Sequence, residues 1–218
     1  MRKPQSKKQK PLQLNLIILG DVAAGKATQS AYFAKKYNLF DFDMGKELTL
    51  LRQKDHKLES IQKRTADKGI LTPTKIVKQI NQKTITGLPK NKGILFDGHP
   101  KMIGEARLVK QLLDKTKRSK PLVLYLTIPV SETVKRMKKR HGYAGTRVKK
   151  RSDDTITGLK NRAKYYQHNI KQVIRYFANH YTFGRISGLG TRAEVKQRIQ
   201  KAISFYLKNY DEIYKDSR

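Results

Sequence analysis

A chain of 218 residues with 37% apolar content can build one sizeable core, and 8% aromatic against 30% charged residues makes that core aliphatic and its surface ionic. The absence of cysteine excludes disulfides and thiolate zinc sites, and the apolar runs Leu14–Leu19 and Leu122–Val130 are too short or too interrupted to span a bilayer. No apolar segment follows the basic start, so a secretory leader is not expected and a cytoplasmic location is; the formal charge of +32 favours polyanions as partners.

Met1 to Lys10 holds five positive charges, no acid and no apolar periodicity, which reads as a disordered basic tail over residues 1–11. Leu14–Leu19 is suited to a buried strand ending at Gly20, and helical character follows from Gly25 to Lys36. Thr72-Pro73 offers an N-cap and a first-turn proline, with Ile76, Val77 and Ile80 forming an apolar helical face behind them. Strand-like runs recur at Gly93–Asp97, Leu122–Ile128 and Tyr181–Ser187. Before the last of these, Leu159, Ala163, Tyr166, Ile170, Ile174 and Phe177 recur at helical spacing. They predict a helix from about Asp153 to Asn179, capped by Ser152 or Asp153, with its aromatic stripe in the core. Buried strands alternating with helices indicate an α/β fold with a parallel sheet covered on both faces.

The segment Leu14 to Gln29 is a strand, a loop of small residues and a helix start. Gly20, Ala23, Ala24, Gly25 and Lys26, followed by Ala27 and Thr28, fit a phosphate-binding loop. Such a loop turns backbone N–H groups toward phosphate oxygens, and its lysine reaches the outer phosphates. Ala27 stands where the general pattern has a hydroxyl. Asp97 closes an apolar strand, where open α/β sheets present ligand groups. Arg136 and Arg140 lie four apart on one helical face, and Arg151 and Arg162 lie eleven apart, close to three helical turns. Arginine forks bind phosphate oxygens in pairs and stay charged. The histidines at 56, 99, 141, 168 and 180 show no metal spacing and are expected at the surface.

These segments resemble the adenylate kinase family, and they do so collinearly after the tail. Gly20 to Gln29 is similar to the family's Gly-x-Pro-Gly-x-Gly-Lys-Gly-Thr-Gln, with Val22 for proline and Ala23 for the second glycine. Gly69-Ile-Leu-Thr-Pro73 looks like its Gly-x-Leu-Val-Pro segment, and Asp97-Gly-His-Pro-Lys101 like Asp-Gly-Phe-Pro-Arg. Arg136 and Arg140 look like the paired arginines before the lid. Arg151, Asp153, Asp154 and Arg162 look like the residues at its exit. The resemblance implies a P-loop NTPase three-layer fold with a five-stranded parallel sheet. Within a single kinase domain (12–218), the core would comprise 12–42, 73–140 and 151–218. A monophosphate-binding lobe would occupy about 43–72, and a short lid about 141–150. It implies transfer of the ATP γ-phosphoryl group to a nucleoside monophosphate by a monomer using Mg²⁺, with no zinc. Lys26, Arg140, Arg151 and Arg162 would be catalytic. The phosphate loop with Arg136 and Arg140 would hold ATP, and Asp97 would hold the metal through water.

The acceptor side departs most from the family. Met44, Gly45, Arg52, Gly98, Lys101 and Glu105 are its expected binding residues. Arg52 lies seven residues past Gly45 where the family has four, and Lys101 gives a point charge in place of a fork. Glu105 replaces a glutamine that reads adenine. A carboxylate only accepts, which suits the adjacent N–H donors of guanine better and opens GMP beside AMP as acceptor; a surface Glu105 is the other reading. Two alternatives to an active kinase stand. Ala23, Lys101 and Glu105 together could leave an ATP-binding pseudokinase. Alternatively, nine Lys or Arg and no acid between Lys135 and Arg151 suit sequence-tolerant nucleic-acid binding on the same scaffold.

Overall fold

The computed structural model describes residues 13–53, 74–142 and 168–215, leaving out the side chains of Arg52, Thr74 and 138–142. Five strands, β1 (Leu16–Gly20), β2 (Phe40–Phe42), β3 (Ile94–Asp97), β4 (Leu122–Thr127) and β5 (Phe183–Ser187), form one sheet in the order β2-β3-β1-β4-β5. All four neighbouring pairs are parallel. The helices are α1 (Lys26–Lys36), α2 (Met44–Arg52), α3 (Thr74–Gly87), α4 (Ile103–Lys115), α5 (Val130–Gly142), α6 (168–178) and α7 (Arg192–Ile213).

The strands are apolar on both sides, so the period of two divides their residues between two cores. Leu16, Ile18, Leu95, Leu122, Leu124 and Leu126 pack on one face against Phe33 of α1 and Val195, Ile199, Ile203 and Tyr206 of α7. Ile17, Leu19, Phe42, Phe96, Val123 and Tyr125 pack on the other against α2, α3, α4 and α6. This is the three-layer parallel arrangement expected from the alternating runs. The strand β2 went unread because Phe40-Asp41-Phe42 is three residues long and interrupted by a charge. Of the expected helix over 153–179, the segment 168–178 is helical. Its start, the cap at Ser152 or Asp153, Thr72-Pro73 and the basic tail lie outside the described residues.

The chain leaves β1 toward β2 and β3 on one side and later adds β4 and β5 on the other. The strand order therefore reverses at the carboxyl ends of β1, β3 and β4, where such sheets leave a crevice for ligands. The opposite ends are locked by a residue that no motif singles out. Asn15 is fully buried; its Nδ2 donates to the Ser119 carbonyl at 2.8 Å and its Oδ1 accepts from the Ile94 N–H at 3.0 Å. Its own carbonyl accepts from the Leu122 N–H at 3.0 Å. One side chain thus aligns three strands in register. Asn15→Ala would orphan a buried donor and acceptor and is expected to lower stability by about 2–4 kcal/mol in urea unfolding; a loss below ~0.5 kcal/mol would show that the strands are aligned without it.

Candidate functional site

At the carboxyl end of β1 the chain turns within van der Waals limits of β4. A Cβ on Gly20 would lie 2.4 Å from the Leu126 carbonyl oxygen, so only glycine fits. The Asp21 N–H donates to that same carbonyl at 2.8 Å. The Asp21 carboxylate then ties the loop to β4 and to the residue just past it, accepting from Tyr125 OH at 2.6 Å and the Ile128 N–H at 2.9 Å. Ala23 has φ 63, the left-handed region in which a methyl group costs about 1–2 kcal/mol. The loop keeps the shape that a glycine would adopt freely, and the three ties of Asp21 help hold it there.

Helix α1 begins at Lys26 after Gly25 and has no acid in its first turn. Its opening N–H groups lack intrahelical acceptors, and the dipole adds positive potential at the same end. Lys26 Nζ lies across the loop, donating to the Gly20 and Asp21 carbonyls at 2.8 Å each. Burial, reinforced by nearby Lys101, lowers its pKa to about 8. Opposite it, Gly98 has φ +62, and a Cβ there would stand 3.4 Å from Lys26 Cε. Asp97 accepts from Ser30 Oγ at 3.0 Å; burial raises its pKa, and the neighbouring carboxylates of Asp43 and Asp41 add to the rise. Lys26, Asp97, Gly98 and Lys101 therefore converge at the strand-order reversal. Ala27 and Thr28 are exposed on the first turn, and Ala24 is buried beneath the loop.

Arg136 closes the other side. Its Nε donates to Glu132 at 2.7 Å, Nη1 to the Ala23 carbonyl at 3.3 Å and Nη2 to the Gly188 carbonyl at 3.0 Å. It thus joins α5, the loop after β1 and the loop after β5. Arg140 lies on the same helix with its side chain outside the described residues, as is that of Arg52. Arg151 and Arg162, the lid segment from 143 onward, and residues 54–73 of the expected lobe are also outside them.

On the acceptor side, Asp43 caps α2, its Oδ1 accepting from the Gly45 N–H at 2.8 Å. Met44 is buried in the core while Gly45 is exposed. Two expectations need correction here. His99 is not at the surface: it is 2% exposed, packed edge-on against Phe42, and held by Asn81 Oδ1 at 2.9 Å from Nε2. Asn81 Nδ2 donates to the Val77 carbonyl, so its oxygen is the acceptor and His99 Nε2 carries the proton. Burial lowers the His99 pKa to about 3, so its 3.7 Å approach to Glu105 is not an ion pair. Glu105 is not at the surface either. It is 5% exposed at the third position of α4, and its Oε2 accepts from the Lys101 and Met102 N–H groups at 2.9 and 3.3 Å. The carboxylate caps its own helix from the third helical position, but the N-cap is Met102, so the Ser/Thr-x-x-Glu pattern that would make this legible from sequence is absent. His99 left no trace either, because a polar residue among buried aromatics follows no period.

The Asp21 ties generate a testable result. Asp21→Ala is expected to weaken binding of a nucleoside triphosphate about tenfold by titration, whereas Asp21→Asn, which still pairs with both groups, stays near the parent. Adding Ala23→Gly to Asp21→Ala should recover part of the loss, since glycine needs no help in the left-handed region. Equal affinities for the parent and Asp21→Ala would sink this account of the loop.

A family model described as Adenylate kinase matches residues 18–182. The chain is 28% identical to the adenylate kinase of Parabacteroides distasonis over 191 residues, 88% of this chain and 98% of that protein. It is 28% identical to that of Phocaeicola vulgatus over 190 residues, 87% of this chain and 98% of that protein. The adenylate kinase of Flavobacterium psychrophilum is 25% identical over 191 residues, 88% and 98% of the two chains. The match to the family runs from inside β1 to the residue before β5, and so takes in the loop after β1, Lys26 and β2 to β4. The chain belongs to the adenylate kinase family and is a nucleotide monophosphate kinase, a phosphotransferase on a P-loop fold.

Proposed function

We propose that the chain catalyses reversible phosphoryl transfer from Mg-ATP to a nucleoside monophosphate, with AMP as the preferred acceptor (ATP + AMP = 2 ADP). The observation that carries this reading is Lys26, half-buried at the reversal of strand order with its ammonium among backbone carbonyls and facing Asp97 across Gly98. Phosphoryl transfer needs in-line positioning and compensation of charge more than covalent chemistry. The residues of loop 20–25, with Lys26, Ala27 and Thr28, would cradle the triphosphate. Lys26 would leave the loop carbonyls for the outer phosphates, which raise its pKa back above 8. Arg136 and Arg140 would hold the ATP side, and Arg140, Arg151 and Arg162 would compensate charge on the transferring group.

The surroundings of Asp97 fit a hard divalent cation: the donors at hand are carboxylate and hydroxyl oxygens, and the neighbouring carboxylates deepen the negative potential. Asp97 would hold Mg²⁺ through water, and the ion when bound would neutralise charge on the phosphates. Among the described residues, no group of three or more His, Asp or Glu is placed to hold a metal directly.

Met44, Gly45, Arg52, Gly98 and Lys101 would line the acceptor site, within a lobe at about 43–72. A short lid at about 141–150 would exclude water on closure. The cap formed by Glu105 supports AMP over GMP, because one of the two oxygens that would have to meet guanine's paired donors is engaged by two backbone N–H groups. The names of the relatives support the same acceptor. We place the protein in the cytoplasm as a monomer; no helix of the described residues is long and apolar enough to cross a membrane. One observation favours a second reading, an ATP-binding pseudokinase: the strained Ala23 sits beside a site whose acceptor-side fork is replaced by Lys101.

The deciding experiment is a transfer assay with Mg-ATP and a panel of AMP, GMP, CMP and UMP, using Lys26→Ala as control. AMP should give ADP, and the control should lose on the order of a hundredfold or more in kcat. Product from GMP in preference to AMP would return Glu105 to base reading. ATP binding without product from any acceptor would establish the pseudokinase.

A further inference from the structure

The reaction site engages few of the positive charges that give the chain its formal +32. On the outer side of the sheet, α1 and α7 lie together. Gln29 Nε2 donates to the Arg192 carbonyl at 3.0 Å, Gln200 Nε2 donates to Tyr37 OH at 2.6 Å, and Lys36 Nζ donates to Gln200 Oε1. Helix α1 contains no acid. Between Arg192 and Tyr210, α7 carries Arg192, Lys196, Arg198, Lys201 and Lys208 against a single acid, Glu194. That acid is committed to the Thr191 N–H and hydroxyl at the helix start.

The cations along this seam are partnered by neutral groups. Lys196 Nζ stands 4.7 Å from the centre of the Tyr32 ring, and Tyr32 is 41% exposed. Lys36 is bonded to an amide, and Lys35 and Arg192 are exposed. None of Lys35, Lys36, Arg192 and Lys196 lies within ion-pair reach of a carboxylate among the described residues; the pairs there involve Lys46, Lys110, Lys135 and Arg136. An ordinary solvated basic face interleaves acids, which relieve repulsion and add i,i+4 pairs. This one retains its field for an external anion. The exposed ring between the lysines adds a stacking surface, which a phosphodiester strand with bases can use and a lone phosphate cannot.

We propose that the α1–α7 seam, centred on Tyr32, Lys35, Lys36, Arg192 and Lys196, binds single-stranded nucleic acid without sequence preference. The seam lies on the helical layer formed by α1 and α7, and its side chains are separate from those assigned to phosphoryl transfer. The strand's phosphates meet the four cations and a base stacks at Tyr32. No fold feature for reading base edges is required, and the affinity is dominated by release of counterions.

The test uses the full chain and a fluorescein-labelled uridine oligonucleotide of about 20 nucleotides, with anisotropy read across a salt series. The parent should bind with a steep salt dependence. Lys35→Gln, Lys36→Gln, Arg192→Gln and Lys196→Gln combined should weaken binding roughly ten- to a hundredfold near 0.1 M salt and flatten the log–log slope by about 2 to 3. Tyr32→Ala alone should weaken it by about fivefold with little change in slope. A control that removes the same charge from α3 and the following turn, Lys75→Gln, Lys78→Gln, Lys83→Gln and Lys90→Gln, should change affinity by less than about threefold. Circular dichroism and the thermal midpoint check that both variants fold. Equal weakening by the two variants would mean that net charge, not this seam, binds the strand. Absence of oligonucleotide binding by the parent, whether or not it binds phosphatidylserine vesicles, would overturn the proposal outright.

Discussion

The site depends on how closely the loop after β1 approaches the end of β4. Gly20 admits no Cβ against Leu126, and Asp21 then binds β4 and the residue just past it through its N–H and both carboxylate oxygens. From that anchorage follow the direction of the loop, the position of Lys26 and the start of α1. Arg136 joins the same loop to the loop after β5, so two carboxyl-terminal loops are fastened together on either side of β4. The parallel sheet provides the frame, and Asp21 and Arg136 fix the course of the loop that carries Lys26.

The two sides of the crevice are held differently. On the nucleotide-loop side, the Lys26 ammonium is held by backbone carbonyls that a ligand can replace, while Asp21, Asp97 and Arg136 also bond to neighbouring side chains. On the acceptor side, His99, Asn81 and Glu105 are buried and bonded to one another's helices or to their own backbone. Burial raises the pKa of Glu105 and lowers that of His99, so both are pushed toward their neutral forms. Residues that differ from the family pattern here have become part of the packing between α3, β3 and α4.

Much of the fold was legible because its signals are periodic or local. Leu16 to Leu19 and Leu122 to Leu126 are continuous apolar runs, which suits strands covered on both faces. Lys26 stood out as a candidate because a glycine-bounded loop between a strand and a helix has few other uses, and the structure places it where the strand order reverses. Ala23, which stands for the family's second glycine, occupies the left-handed region that glycine adopts freely. Asn15, Asp21 and His99 were not legible in the roles they have. Their partners lie 104, 104 and 18 positions away, at Ser119, Tyr125 and Asn81, and nothing in a single sequence ties such pairs together. Strand β2 was missed because three residues with a central aspartate carry no alternation to detect.

The most direct measurement is the affinity for ATP between about pH 7 and pH 10, for the parent and for Lys26→Arg. Lys26 titrates near 8 in the free protein because burial and Lys101 disfavour its charge, while bound phosphates favour it. If it grips the phosphates as an ammonium, binding takes up a proton above pH 8. The dissociation constant should then rise by up to about tenfold per pH unit there, and this rise should be absent from the permanently charged arginine variant. An affinity that stays level across that range in the parent would contradict the assignment of Lys26, and with it the phosphate site at the reversal of the sheet.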